Sequence, residues 1–191
     1  MRARNPARAT RAWEQHGLEH GNYVLVTLHR PSNVDDRRNL GNLLEMFGDL
    51  SERIPIVFPI HPRTRKMISE FGLKHEYPGL KLVDPIGYLE FLAMQEGARL
   101  VLTDSGGIQE ETTILRVPCL TLRTNTERPV TTTIGTSRLV GNDPTRIRAA
   151  FEEVIRGEWP EGSEVPLWDG RAAERVAEAI AGWLGASDVG L

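Results

Sequence analysis

Six short apolar runs alternate along the chain with longer stretches in which apolar residues recur at helical spacing. No other feature restricts the fold as strongly. The runs are Tyr23 to Leu28, Ile56 to Ile60, Leu80 to Val83, Leu100 to Thr103, Cys119 to Leu122 and Ser137 to Val140. Each is short and largely apolar, as a buried parallel strand should be. A parallel sheet covered by helices on either face provides that burial. Between the first two runs, Leu40, Leu43, Leu44, Phe47 and Leu50 mark an amphipathic helix with Asp35 or Asp36 as its cap. Further helices are expected at Thr64 to Phe71, Gly87 to Gly97, Gly106 to Leu115, Pro144 to Arg156 and Arg171 to Leu184, with Thr64 and Asp143 as caps. Gly157 to Asp169, holding Trp159 and Trp168, reads as an ordered connector. The expected fold class is α/β: a Rossmann-like, doubly wound parallel sheet. With 191 residues the chain is one domain, its core about 22–156 and its connector and last helix 157–191.

Composition narrows the function classes. The 23 Lys+Arg and 26 Asp+Glu leave a net charge of -3 with no basic stripe, which argues against nucleic acid as a partner. No apolar run approaches the roughly 18 residues of a membrane-spanning helix, so no membrane partner is expected. A single cysteine, Cys119, allows neither a disulfide within the chain nor a cysteine-based zinc site, and fits a cytoplasmic protein. MRARNPARATRA at the start has four arginines and no acid, but no apolar segment of a secretory signal follows. It reads as a helix leading into the first strand.

Parallel strands joined by right-handed crossovers most often take the order 3-2-1-4-5-6, with the ligand crevice where strands 1 and 4 meet. Two polar segments fall at that switch point: His29-Arg30-Pro31-Ser32-Asn33 after strand 1, and Asp104-Ser105-Gly106-Gly107-Ile108-Gln109-Glu110-Glu111 after strand 4. In the second, a hydroxyl residue and two glycines open a helix, whose free N–H groups and positive dipole end suit a phosphate. The plainer alternative is a tight turn with Ser105 as a helix cap. Glu110 and Glu111 offer carboxylates for the hydroxyls of a ribose. Adjacent helical positions face apart, so one should reach the ligand while the other is solvated. The chain lacks GxGxxG and GxxxxGK[ST], so any nucleotide is held differently from the dinucleotide and P-loop folds.

His29 suits a general acid, or a cation beside a diphosphate. Arg30 and Asn33 would add donors for a phosphate, and Arg128 in Thr126-Glu127-Arg128-Pro129 a further cation, although alone it reads as a surface ion-pair partner. His61, in His61-Pro62-Arg63, is either a ligand contact or a helix cap. The pattern His16-Gly17-Leu18-Glu19-His20 matches a zinc-peptidase motif, but Gly17 and Gly21 break the helix it requires, and no metal is expected. Cys119, inside a buried strand and without a base, reads as a core residue.

Taken in order, VLVTLHRPSNVDD, the HPRT segment, DPIGYLEFL, LTDSGGIQEET, NTERPV, GTSRLVG and WDGRAAERV resemble the C-terminal half of the non-hydrolysing UDP-N-acetylglucosamine 2-epimerases, from about Tyr23 to Leu184. The resemblance implies the nucleotide-binding half of a two-domain GT-B fold whose N-terminal domain is absent here. It further implies that Ser105, Gly106 and Gly107 hold the UDP diphosphate, Glu111 the ribose and Arg128 a phosphate. Phe91 would contact the uridine, and the backbone near Ile86 the uracil edge. His29 matches the functional histidine, Arg30 and Asn33 match the family's HR-x-x-N pattern, and His61 matches a histidine near an allosteric UDP-N-acetylglucosamine site of some bacterial members. Ile134 departs from the polar residue many relatives have there.

The implied reaction is an isomerisation that needs no cofactor and no metal, belonging to cell-surface polysaccharide biosynthesis. The C2 proton leaves and UDP is expelled, giving a 2-acetamidoglucal. UDP then re-adds with reprotonation on the opposite face, giving UDP-N-acetylmannosamine. Because the carboxylates proposed as acid-base catalysts belong to the other domain, the chain alone is expected to be inactive, its partners being UDP-N-acetylglucosamine or UDP and the missing domain. Three other readings stand beside this one: a hydrolysing 2-epimerase, the donor domain of a GT-B glycosyltransferase, and a non-catalytic nucleotide-sugar sensor. The last helix, with Val176, Ile180 and Trp183 near one face, would pack on its own domain, stay exposed, or drive homo-oligomer formation.

Overall fold

Alternating side chains along each central strand divide the apolar residues into two sets, and the sheet they form carries helices on both faces. In the computed structural model, which describes residues 10–187, the strands are β1 (Val24–Thr27), β2 (Ile56–Pro59), β3 (Leu80–Val83), β4 (Leu100–Thr103), β5 (Cys119–Thr121) and β6 (Ser137–Leu139). All neighbours pair in parallel, in the order β3-β2-β1-β4-β5-β6. That is the expected order, and β1, β2, β5 and β6 end one residue earlier than their apolar runs.

The helices are α1 (Ala12–Gln15), α2 (Pro31–Val34), α3 (Arg37–Ser51), α4 (Pro62–Glu70), α5 (Tyr88–Gly97), α6 (Gly106–Leu115), α7 (Val130–Thr133), α8 (Pro144–Ile155) and α9 (Ala172–Ser187). Val24 and Val26 of β1 pack with Phe58, Leu102, Phe47 of α3 and Phe151 of α8 on one face. Leu25, Val57 and Val101 point the other way, to Leu92 and Met94 of α5 and Leu115 of α6. Cys119 is fully buried in β5, and burial pushes its thiol up, away from thiolate chemistry.

The helix starts decide between two cap candidates and correct one expectation. Asp36 caps α3 by accepting from the Asn39 N–H at 2.7 Å, while Asp35 pairs with Arg63. Helix α4 begins two residues earlier than expected, because Pro62 supplies the fixed φ of a first helical residue and His61, not Thr64, is the cap: its Nδ1 accepts from the Arg63 N–H at 3.2 Å. Thr64 lies one turn inside, and its hydroxyl donates to the Leu28 carbonyl at 2.5 Å, tying α4 to the end of β1. Asp143 caps α8 as expected, through the Thr145 N–H.

Helices α1, α2 and α7 are single turns, too short to show a period. The arginine-rich start falls mostly at residues 1–9, outside the described residues. In the HxxEH pattern, Gly17 and Gly21 hold φ of 63° and 75°, so the segment is a turn in place of the helix a zinc motif needs. Among the described residues no cluster of three His, Cys, Asp or Glu could hold a metal ion, and no helix is long and apolar enough to cross a membrane. The connector is ordered by Trp159, which donates to the Thr136 carbonyl at 2.9 Å and lies beneath the Arg138 guanidinium. Helix α9 starts one residue after the expected start and extends three residues past Leu184, and its Val176, Ile180 and Trp183 are 56%, 53% and 71% exposed.

The Thr64 hydroxyl is fully buried and its acceptor sits one residue before His29. Thr64→Val should therefore cost about 1–2 kcal/mol, read as a lower midpoint of urea unfolding, by leaving the Leu28 carbonyl unpaired. An unchanged midpoint would contradict that role.

Candidate functional site

Strands β1 and β4 run side by side with Thr27 opposite Thr103, and the chain leaves them in opposite directions, toward α3 on one face and α6 on the other. That divergence opens a crevice beyond Leu28 and Thr103. The first residue past β4 is Asp104, fully buried, and its carboxylate reaches across to the β1 side. Oδ2 accepts from the N–H of His29 at 3.1 Å, the N–H of Arg30 at 2.9 Å and Nδ2 of Asn33 at 3.1 Å. Oδ1 lies 3.1 Å from Nδ1 of His29, and the Asp104 carbonyl accepts from Nε of Arg30 at 3.1 Å. Burial alone would raise the carboxyl's pKa, but the bonds from His29, Arg30 and Asn33 outweigh it and hold the group below its ordinary value.

An ionised carboxylate only accepts, so Nδ1 of His29 carries a proton and Nε2 is the nitrogen left free for proton exchange. The imidazole is part-exposed, and its centroid lies 5.5 Å from that of His61. His61 is thus the cap of α4 and also a neighbour of His29. Asn33 differs from expectation. It is buried, and its two amide hydrogens go to Asp104 and, at 2.9 Å, to the Leu122 carbonyl. Asn33 therefore holds the crevice together from inside and does not present a donor to a phosphate.

Across the crevice, Ser105 stands at the cap position of α6 but makes no side-chain cap bond. Its own N–H donates to Oγ1 of Thr103 at 3.0 Å. A Cβ added at Gly106 or Gly107 would meet nothing within 4 Å. No packing inside the domain requires these glycines, so the space they leave faces outward, over the first turn of the helix. Free N–H groups in such a turn bind anions.

Behind that turn, the fully buried Gln109 donates through Nε2 to the Ser105 carbonyl at 3.1 Å and accepts from the Thr126 hydroxyl at 2.8 Å. Thr126 in turn accepts from the Arg128 N–H at 3.0 Å. The glycine turn and the Arg128 loop are therefore set by one network. The Arg128 guanidinium reaches Glu110, Nε to Oε1 at 2.7 Å, so Glu110 is an ion-pair partner and not the freely solvated acid expected. Glu111 turns the other way and accepts from Nε2 of Gln95 at 2.6 Å. The exposed Tyr88 faces the same carboxylate. Its phenol is held above its ordinary value by partial burial first and by the Glu111 charge and hydrogen bond after it.

Arg123, with its side chain almost fully buried, makes a two-pronged pair with Glu127 at 2.7 Å, and the Arg30 guanidinium lies 3.9 Å from the same acid. The Arg123 hydrogen bonds, with help from nearby charges, draw the Glu127 carboxyl down to about 2. Ile86 and Phe91 are half-buried against the α5 side of the core.

Sequence reading passed over Asp104, Gln109, Arg123 and Gln95 as separate residues. Asp104 had a visible signal, a charge set directly against an apolar strand at the switch point. Gln109 had one too, lying four residues after Ser105 and so on the same side of α6.

A family model for UDP-N-acetylglucosamine 2-epimerase matches residues 2–181. The UDP-N-acetylglucosamine 2-epimerase of Methanocaldococcus jannaschii is 41% identical over 165 residues, which are 83% of this chain and 44% of that enzyme. The UDP-2,3-diacetamido-2,3-dideoxy-D-glucuronate 2-epimerase of Pseudomonas aeruginosa is 36% identical over 160 residues. These are 83% of this chain and 44% of that protein. The crystal structure of the M. jannaschii enzyme in complex with UDP-GlcNAc and UDP superposes with a TM-score of 0.79 at 38% identity, over 92% of this chain and 48% of that one. The chain thus spans about half the length of the relatives it matches.

Asp104→Asn replaces a buried acceptor with an amide whose hydrogens meet those of His29, Arg30 and Asn33. A loss of about 2–4 kcal/mol is expected in urea unfolding at neutral pH. Because the folded carboxyl lies below its ordinary value, its contribution is complete above about pH 4 and lost as pH falls through the depressed value. The variant should therefore lose part of the parent chain's decline in stability on acidification. Equal stability and equal acid sensitivity would contradict the bridging role.

Proposed function

Since the chain belongs to the UDP-N-acetylglucosamine 2-epimerase family, we propose that it is the part of such an enzyme that grips the uridine diphosphate of a nucleotide sugar. The observation that carries the reading is the outward-facing turn Ser105-Gly106-Gly107 at the N-terminus of α6, at the same strand-end switch point as a part-exposed histidine held through Nδ1 by Asp104. In this reading the diphosphate lies on the N–H groups of that turn. The positive helix end and the guanidinium groups of Arg30 and Arg128 balance its charge. Arg128 exchanges its bond to Glu110 for one to phosphate. Glu111, farther along α6, accepts from the ribose hydroxyls, and Phe91 and the backbone near Ile86 meet the uracil.

The isomerisation that follows breaks the C2–H bond and the C1–O bond to the diphosphate, leaving a 2-acetamidoglucal and UDP. Re-addition of UDP to C1, with a proton delivered to the opposite face of C2, gives the 2-epimer. Charge develops on the leaving diphosphate as the C1–O bond lengthens, so donors fixed beforehand around it stabilise the transition state more than the ground state. His29, its Nδ1 proton held by Asp104, acts next to that diphosphate through Nε2. Retaining UDP between the two halves of the reaction separates this isomerase from a hydrolysing enzyme.

The acid and base at C2 come from a segment corresponding to the rest of the relatives' length, and without it the chain binds but does not turn over. We place the protein in a reducing compartment, the cytoplasm, in keeping with its single buried thiol. The non-catalytic sensor and the glycosyltransferase donor domain have no structural observation that favours them over this reading.

Gly106→Val separates binding from folding. The new side chain enters open space on the first turn of a helix, so thermal stability should be unchanged within about 0.5 kcal/mol while calorimetric binding of UDP is lost. UDP binding equal to that of the unaltered chain would contradict the assigned turn.

A further inference from the structure

Gln95 is buried without trace of exposure on α5, and its two amide ends are treated unequally. Nε2 donates to Oε2 of Glu111 at 2.6 Å, whereas Oε1 has no hydrogen-bond partner. Its helical neighbours Leu92, Ala93 and Met94 are buried apolar residues. At such a position an unbranched apolar side chain of similar length would serve the fold better, because it would leave no acceptor stranded. A buried polar group that the fold does not need, directed at a half-buried carboxylate on the helix that begins with the glycine turn, marks a residue kept for the site.

We propose that Gln95 is a positioning residue that fixes the Glu111 carboxylate for the two hydroxyls of a ribose, an inference that rests on the nucleotide reading of the crevice. Glu111 sits four residues beyond Gly107, on the same side of α6 as the glycine turn, so a sugar joined to a phosphate on that turn reaches it. A free carboxylate on a glutamate rotates about several bonds, and holding Oε2 from behind with Nε2 of Gln95 removes that freedom. Oε1 is then turned to the ligand and one lone pair of Oε2 remains, enough to accept from neighbouring 2′ and 3′ hydroxyls. The Tyr88 hydroxyl approaches the same carboxylate from the exposed side. The selectivity that follows is for a ribonucleoside diphosphate over one lacking those hydroxyls.

The test compares UDP with 2′,3′-dideoxyuridine diphosphate by calorimetry on the full 191-residue chain and on Gln95→Met, Gln95→Leu and Glu111→Ala, with thermal unfolding of each. The unaltered chain should favour UDP by about tenfold, and Glu111→Ala should abolish that preference. Gln95→Met should weaken UDP about fivefold while leaving the dideoxy compound within about twofold, at a melting temperature equal to or above the parent's. If Glu111→Ala abolishes the preference but both Gln95 variants keep it, or if both Gln95 variants lose thermal stability and bind the two compounds equally weakly, the positioning role is overturned and the nucleotide reading stands. If the unaltered chain binds no UDP, or shows no preference for Glu111→Ala to remove, the reading itself fails and takes this inference with it.

Discussion

The buried carboxylate of Asp104 is the contact on which the crevice depends. Where β1 and β4 part company, the backbone N–H groups of His29 and Arg30 have left the ladder and need an acceptor. Asp104 supplies it from the neighbouring strand, and the same two oxygens hold the His29 ring and the Asn33 amide. An unpartnered carboxylate at that depth would be costly, and four donors around it reverse the balance. One side chain thus sets the loop after β1, orients the histidine and anchors Asn33. Its removal would be felt by each of these together.

A second buried polar centre, Gln109, extends that order to the far wall. Through Ser105 on one side and Thr126 on the other it joins the glycine turn to the Arg128 loop, so the anion-facing N–H groups and the guanidinium keep a fixed relation. Arg128 and Arg123 meanwhile lie against Glu110 and Glu127. Acidic partners of this kind keep cations in place near a crevice without a ligand, and the exposed setting of the Arg128–Glu110 pair makes its exchange for a phosphate inexpensive. The site is built from satisfied buried groups at its base and exchangeable pairs at its mouth.

Most of the architecture was legible because buried parallel strands are largely apolar, and six such runs with helical spacers leave few arrangements. The strand order was the one most often taken by such crossovers, and the switch point followed from strand order. The errors lie where a local chemical choice overrides a pattern. Pro62 moved the start of α4 and made His61, not Thr64, the cap; Asn33 turned its donors inward, to the buried Asp104 carboxylate and the Leu122 carbonyl. Gln95 and Asp104 were not singled out because side-chain partners some 16 and 75 positions away in sequence cannot be read from spacing. The exposed apolar face of α9 was visible as a periodicity, but its exposure in the folded chain was one of three outcomes the periodicity allowed.

Titrating the isotope-labelled chain with UDP and following its backbone amide resonances would locate a uridine diphosphate bound in the crevice between the ends of β1 and β4. Saturable shifts should be largest at Ser105, Gly106 and Gly107 and next largest at His29, Arg30 and Glu111, with the residues of α8 unmoved. Saturable shifts centred elsewhere, or none at millimolar UDP, would contradict that placement.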